Sequence, residues 1–206
     1  MGTSLFSTSY LPSIEYIHKM VEADEICIEQ NENYIKQSYR NRCYILSANG
    51  QQALTVPVLL GSFHKTVIRD IRIDYSKRWQ QIHLRAITSA YNNAPYFQYY
   101  FEEIEKTIME KPEFLIDLNT KLLDILLKAL RINKTVKFHD EFIVPENESN
   151  DFRYNISPKI KSEYINPEYI HVFPSKNLIQ GLSVIDLIFN NGPESLGLLL
   201  SPLRET

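Results

Sequence analysis

The stretch SLFSTSYLPSIEYIHKMVEADEICIE, residues 4–29, decides the fold. Residues 4–7 suit a short strand. Pro12 suits the first turn of a helix, because its fixed φ is helical and its missing N–H would go unpaired there anyway. Ile14, Ile17, His18 and Val21 then recur at helical spacing on one face. Residues 25–29, EICIE, alternate and are β-branched, which reads as a second strand. Strand, short helix and strand make a βαβ-like opening, so an α/β fold is expected.

Working outward, residues 30–38 are a polar loop. Residues 42–46 read as a strand, Asn49-Gly50 as a hairpin turn, and residues 52–58 as the returning strand, with Pro57 near an edge or strand end. Residues 67–73, VIRDIRI, are expected to be a strand buried on one face. From Lys77 the period becomes helical, with Trp79, His83, Ala86 and Ala90 on one stripe. Asn92-Asn93 and Pro95 break that helix. A second helix is expected over 96–109. A third opens at Pro112 with Leu115, Leu118, Leu122, Leu126 and Ala129 buried. Residues 134–138 suit a strand joining the sheet. Residues 140–176 hold Pro145, Pro158, Pro167 and Pro174 and lose the helical period. They are expected to wrap the domain as a loop, because Tyr154, Ile156, Tyr164, Ile165, Tyr169, Val172 and Phe173 need burial. Residues 183–189 suit a last long helix, stopped at Asn190-Asn191-Gly192, and Pro193 restarts a short one. The expected architecture is an N-terminal mixed β-sheet with flanking helices, then a mainly helical half and a proline-rich wrapping loop, in a single domain over 1–206.

Composition supports a packed core. The 206 residues are 44% hydrophobic, 23% charged and 12% aromatic, a globular balance. Residues 1–13 lack the basic and apolar regions of a secretory leader, and no apolar run reaches the roughly 20 residues that span a bilayer. A cytoplasmic location without a membrane span is expected. MGTSLF loosely fits a myristoylation pattern, which the strand at 4–7 displaces. Cys27 and Cys43 sit among apolar neighbours and read as buried thiols. From Lys36 to Arg85, nine basic residues face two acidic ones, a net +7 that leaves −10 on the rest. Such asymmetry focuses an anionic ligand, or else marks solvated faces paired with acids elsewhere.

Four constellations carry chemistry. Tyr34, Lys36, Arg40, Asn41 and Arg42 gather amide, cationic and phenolic donors just after the second strand, where α/β sheets bind ligands. Arginine offers a bidentate fork for phosphate there; the alternative is a charged loop and strand edge. Lys65, in His64-Lys65-Thr66, presents a cation to an anion or sits in a solvated loop. His83 is a candidate general base, since its ordinary pKa lies near neutrality, or a hydrogen-bonded core histidine. Asp186 is a candidate catalytic carboxylate and Asn190 a candidate substrate-binding amide, in a string whose amides and Glu194 face a ligand or serve helix capping around Gly192-Pro193-Glu194. GxSxG, P-loop and GxGxxG patterns are absent, no paired metal-ligand spacing is present, and the patterns name no cofactor.

The same strings resemble the WbqC-like protein family. They are Tyr34-Ile35-Lys36, Asn41-Arg42, Leu54-Thr55-Val56-Pro57-Val58 and His64-Lys65-Thr66 ahead of Ile68-Arg69-Asp70-Ile71. Trp79, His83, Tyr91 and Ala94-Pro95-Tyr96-Phe97 follow in order, and Leu182 to Glu194 is the most recognisable string. Family members occur in gene clusters for O-antigen and related surface polysaccharides, and glycyl or other acyl transfer to a sugar has been suggested for them. The resemblance implies a transferase of lipopolysaccharide-type biosynthesis that adds an acyl or aminoacyl group to a nucleotide-linked amino sugar. Lys36, Arg40, Arg42 and Lys65 would hold phosphates, His83 would be the base, and Asn41 and Asn190 would orient the substrate. An aminoacyl-tRNA is a candidate donor, met by the +7 segment with Tyr34, Tyr39 and Tyr44. The alternative is a non-catalytic nucleotide-sugar or tRNA binding protein that works with a partner enzyme. Ser9-Tyr10 stands where the family has Gln-Pro, and Gln30-Asn31 where it often has Asp-Asp.

Overall fold

A computed structural model describes residues 3–59, 66–144, 150–173 and 179–201. Strand β1 (Thr3–Ser7) and strand β2 (Glu25–Glu29) pair in parallel, Leu5 opposite Cys27, with helix α1 (Ile14–Glu22) between them. This is the βαβ opening. All but the first residue of each strand is buried, the continuous burial expected of parallel strands. Helix α1 starts two residues after Pro12, because Ser13 is its N-cap and accepts from the Tyr16 amide at 3.2 Å. Strand β7 (Val136–Phe138) adds to the other side of β2, also parallel.

Strands β3 (Arg42–Ser47) and β4 (Gly50–Thr55) form the expected hairpin. Its link is Ala48-Asn49, one residue earlier than expected, and Gly50 opens β4 at φ +98°, a conformation that favours glycine. The returning strand ends at Thr55 rather than 58. Asn41 takes over the pairing there: its carbonyl accepts from the Val56 amide at 2.8 Å and its side-chain amide donates to the Val56 carbonyl at 2.8 Å. Beyond Pro57, strand β5 (Val58–Leu59) pairs antiparallel with strand β6 (Arg72–Ile73).

The expected strand at 67–73 is a correction. Only Arg72 and Ile73 are extended in a ladder, and Ile68–Asp70 is a 3-10 turn. The backbone donors are taken by the loop after β2: Ile68 donates to the Glu32 carbonyl at 2.9 Å and Arg69 to the Gln30 carbonyl at 3.1 Å. Ile68 and Ile71 are both fully buried, a spacing of three that suits the turn.

Helices α2 (Trp79–Tyr91) and α3 (Phe97–Met109) follow as expected; α4 (Leu115–Ala129) begins three residues after Pro112, because Phe114 is extended and bridges Arg72, and α3 packs on α4. Helix α5 (Val184–Asn191) is buried from Val184 through Asn190 and contacts α1, α3, α4 and β3. A helix apolar on most sides belongs in the centre of a core. Its N-cap Ser183 bridges Ser13, the N-cap of α1, so both helices spring from one point. Gly192 then turns the chain at φ +52° against the Tyr96 ring, and helix α6 (Ser195–Leu200) follows.

Residues 151–173 contain no helix or ladder strand; Asp151 bridges Leu5, and Phe152 stacks on Phe6 at 5.1 Å. Of the side chains expected to be buried there, Ile156 is, whereas Tyr154 and Ile165 are exposed. Tyr164, Tyr169, Val172 and Phe173 pack partly buried on the core.

Candidate functional site

The carboxyl ends of β1 and β2 hold a charged cluster, but its members are paired with one another. Arg40 is buried and forks onto Glu32, Nε to Oε1 at 2.9 Å and Nη2 to Oε2 at 2.5 Å. Arg153 forks onto Asp151 at 2.8 and 2.7 Å and reaches Glu29 at 3.3 Å. The Arg153 carbonyl accepts from Ser7 Oγ at 2.7 Å and from Arg40 at 3.2 Å, joining the two groups. Burial pushes the Glu32 carboxyl above its ordinary pKa despite the opposing pull of Arg40. Three carboxylates thus meet two guanidiniums, which leaves no spare positive charge for a phosphate. Arg40, expected as a phosphate ligand, sits in an internal ion pair.

Its sequence neighbours divide. Asn41 is buried and holds Val56, as above, while its Oδ1 has no hydrogen-bond partner among the described residues. Arg42 is half-buried and donates through Nε to Thr55 Oγ1 at 2.9 Å. Tyr34 lies within the field of Arg40 and Arg42, and burial still pushes its phenol up to about 12. Lys36 is exposed. Lys65 lies outside the described residues. Gln30 and Asn31 both donate to the His139 carbonyl, at 2.7 and 2.9 Å, and Asn31 accepts from Arg69 at 2.6 Å. These two side chains pin a loop.

His83 is 3% exposed. Its Nδ1 meets the Tyr10 hydroxyl at 2.9 Å, the ring also hydrogen-bonds the Thr55 backbone, and Trp79 packs edge-on at 5.1 Å. Burial lowers its pKa to about 4, so the imidazole is neutral at pH 7. This is the environment of a core histidine. Cys27 and Cys43 are also buried, and desolvation pushes Cys27 up to about 11 and Cys43 well above its ordinary value. Neither is a thiolate at neutral pH. Among the described residues, no group of three or more His, Cys, Asp or Glu is arranged to hold a metal ion.

Asp186 has a different setting. It lies in the first turn of α5 with no solvent exposure. Its Oδ2 accepts from the Tyr91 hydroxyl at 2.8 Å, and its Oδ1 accepts from the Tyr169 hydroxyl at 2.7 Å and from His171 Nδ1 at 2.8 Å. Asn190, one helical turn on, donates to the Asp186 carbonyl at 2.7 Å and lies 3.5 Å from Oδ1. Burial and then the Asp186 charge push the Tyr91 and Tyr169 phenols well above their ordinary values, so both stay protonated donors. The carboxylate holds the Nδ1–H tautomer of His171, which leaves Nε2 as the basic nitrogen. The His171 side chain is 23% exposed. Asp186 and Asn190 are therefore brought together, and the histidine beside them is His171 rather than His83. The sequence carries one signal for it, a Tyr-x-His pair at 169–171 in a stretch without periodicity.

A polar pocket of about 270 Å³ is bounded by Glu15 of α1, Tyr39, Tyr44, Gln51, residues 157–162 and Gln180-Gly181. The Tyr44 carbonyl accepts from the Ser183 amide at 2.8 Å. Asp186 is three residues further on, about 4.5 Å along the helix axis. On the same strand, the Leu46 amide donates to the Tyr91 hydroxyl at 3.1 Å.

An α/β protein with a partly exposed histidine held by a buried carboxylate is the class these features define. The model of the WbqC-like protein family matches residues 8–171, and the chain belongs to that family. Uncharacterized protein Rv1507c of Mycobacterium tuberculosis is 24% identical over 183 residues, covering 88% of this chain and 78% of that protein. No solved structure matches. No helix of the described residues is long and apolar enough to cross a membrane.

Two outcomes follow from the paired groups. Removing one partner of a buried ion pair costs about 3–5 kcal/mol, because the other charge is stranded. Arg40→Met is expected to lose that much stability in urea titration, and Arg40→Met with Glu32→Leu to recover most of it. A single variant within about 0.5 kcal/mol of the parent would contradict the pairing. For His83, the folded pKa lies below the unfolded one, so the unfolded chain takes up the proton first. The stability that depends on neutral His83 is complete above about pH 6.5 and is lost as pH falls toward 4. Between pH 7.5 and 5 this amounts to about 2 kcal/mol. The stability difference between the parent and His83→Gln should shrink by about that amount over the interval; a constant difference would contradict it.

Proposed function

We propose that the protein is a transferase of surface-polysaccharide biosynthesis. It moves an acyl or aminoacyl group onto the amino group of a nucleotide-linked amino sugar. The observation that carries this reading is the Asp186–His171 pair, with Nδ1 on the carboxylate at 2.8 Å and the ring partly open to solvent. Family membership supports the pathway, since the related gene clusters make O-antigen and similar polymers.

The chemistry suits one oriented base. The sugar amine attacks the donor carbonyl carbon, and a C–N bond forms. His171 Nε2 takes the proton that the nitrogen sheds. The bond from that carbon to the donor's sulfur or oxygen then breaks, and the imidazolium returns the proton to the leaving atom. Asp186 fixes the tautomer and stabilises the imidazolium. Tyr91 and Tyr169 hold the carboxylate by hydrogen bonds and do not compete for the proton. Arg42 and Lys36 remain the cations on the side of β3 and its preceding loop that can meet phosphate, with Lys65 a further candidate. An aminoacyl-tRNA is one donor this charge can receive. Asn190 keeps Asp186 in place rather than touching the sugar.

His171→Gln preserves the size and polarity of the position but removes the base. With a nucleotide amino sugar and an acyl-CoA or aminoacyl-tRNA as donor, product measured by mass spectrometry should fall about 10²- to 10⁴-fold in kcat, with KM little changed. His83→Gln should act mainly on stability. Unchanged turnover in His171→Gln would remove the assigned base. Ligand binding without turnover in the parent would favour a binding protein that serves a partner enzyme.

A further inference from the structure

The pocket beside α5 is built from chemically distinct walls. Tyr39 and Tyr44 meet edge to face, ring centres 6.2 Å apart at 86°. Together they form an aromatic corner. Gly181 makes that corner possible: at φ +70°, a Cβ there would lie 2.2 Å from the Tyr39 hydroxyl. Glu15 and Gln51 supply a carboxylate and an amide, and Gln51 is fixed by its bond to the Gln180 carbonyl at 2.9 Å. Lys159 and Lys161 also line the pocket. Neither forms an ion pair among the described residues; the Lys159 ammonium donates to the Lys36 carbonyl at 3.1 Å, and its backbone amide to Ser157 Oγ at 3.3 Å. The pocket lining thus holds two lysines without an ion-pair partner among the described residues and one carboxylate, Glu15. By contrast, the two buried guanidiniums at the strand ends are fully matched.

Size narrows the occupant. A volume of about 270 Å³, open on one side, admits a ligand of the size of one sugar ring with its phosphate.

We infer that this pocket binds a phosphorylated amino sugar, with the ring in the Tyr39–Tyr44 corner, its hydroxyls on Glu15 and Gln51, and its phosphate on Lys159 and Lys161. The inference deepens the transferase reading and rests on it for the amino group. Aromatic faces take the apolar C–H side of a ring, a carboxylate and an amide take its hydroxyls, and lysine holds phosphate as a point charge. The wall at Gln180-Gly181 runs directly into α5, which carries Asp186 and through it His171.

Calorimetric titration of the full chain with glucosamine 1-phosphate, with inorganic phosphate and with methyl glucoside tests the site. Glucosamine 1-phosphate should bind at least roughly tenfold more tightly than either fragment, and Lys159→Gln with Lys161→Gln should weaken it by roughly tenfold or more. Gly181→Ala, which displaces Tyr39, should weaken methyl glucoside and the sugar phosphate alike but not phosphate. His171→Gln should bind the sugar phosphate as the parent does. Equal affinity in the parent and the double-lysine variant, or no heat with glucosamine 1-phosphate at about 10 mM, would overturn the inference. A transferase still dependent on His171 would then stand, with its sugar held elsewhere.

Discussion

A carboxylate without solvent exposure has to be satisfied by hydrogen bonds, because an isolated buried charge costs far more than a domain's net stability can absorb. Asp186 meets that constraint with donors from distant parts of the chain. Tyr91 comes from the end of α2, and Tyr169 and His171 from the irregular segment. Tyr91 in turn accepts from the Leu46 amide of β3. One side chain on the central helix therefore ties together a helix end, a hairpin strand and a segment that lacks backbone ladders of its own. The Ser13–Ser183 bridge adds the start of α1 to the same point.

Around that anchor, the polar groups fall into two kinds. Some are committed to the fold: Arg40 to Glu32, Arg153 to Asp151 and Glu29, Asn41 to Val56, and His83 to Tyr10. Others form no ion pair among the described residues and are partly or wholly exposed: Lys159 and Lys161; His171 pairs with Asp186 and keeps its side chain 23% exposed. The committed groups occupy both guanidiniums at the carboxyl ends of the parallel strands, where α/β sheets ordinarily take ligands.

Elements governed by local periodicity were legible in the sequence. The βαβ opening, the hairpin near Asn49-Gly50 and the helices through 79–129 and 184–200 follow from spacing and caps. Residues 67–73 misled, because alternating Ile and Arg fits a strand, whereas the donors of Ile68 and Arg69 go to a loop some 35 residues earlier. Asp186 was legible only as a candidate carboxylate in a string that helix capping also explains. Its partner was not, since His171 comes from a segment with no repeating period. Arg40 and His83 show the same limit: residue type announces a donor or a base, and only tertiary burial decides whether it is spent inside the fold. The charge asymmetry over 36–85 was real as a count, but part of it is neutralised by Glu32 across the loop.

The central claim is that Asp186 fixes His171 as the Nδ1–H tautomer with Nε2 free. Nitrogen-15 NMR of imidazole-labelled protein, with His171 assigned by comparison to His171→Gln, measures it directly. The account predicts a protonated Nδ1 and an unprotonated Nε2 in neutral His171, and loss of that preference in Asp186→Asn. A neutral His171 carrying its proton on Nε2, or one averaging freely between tautomers in the parent protein, would contradict it.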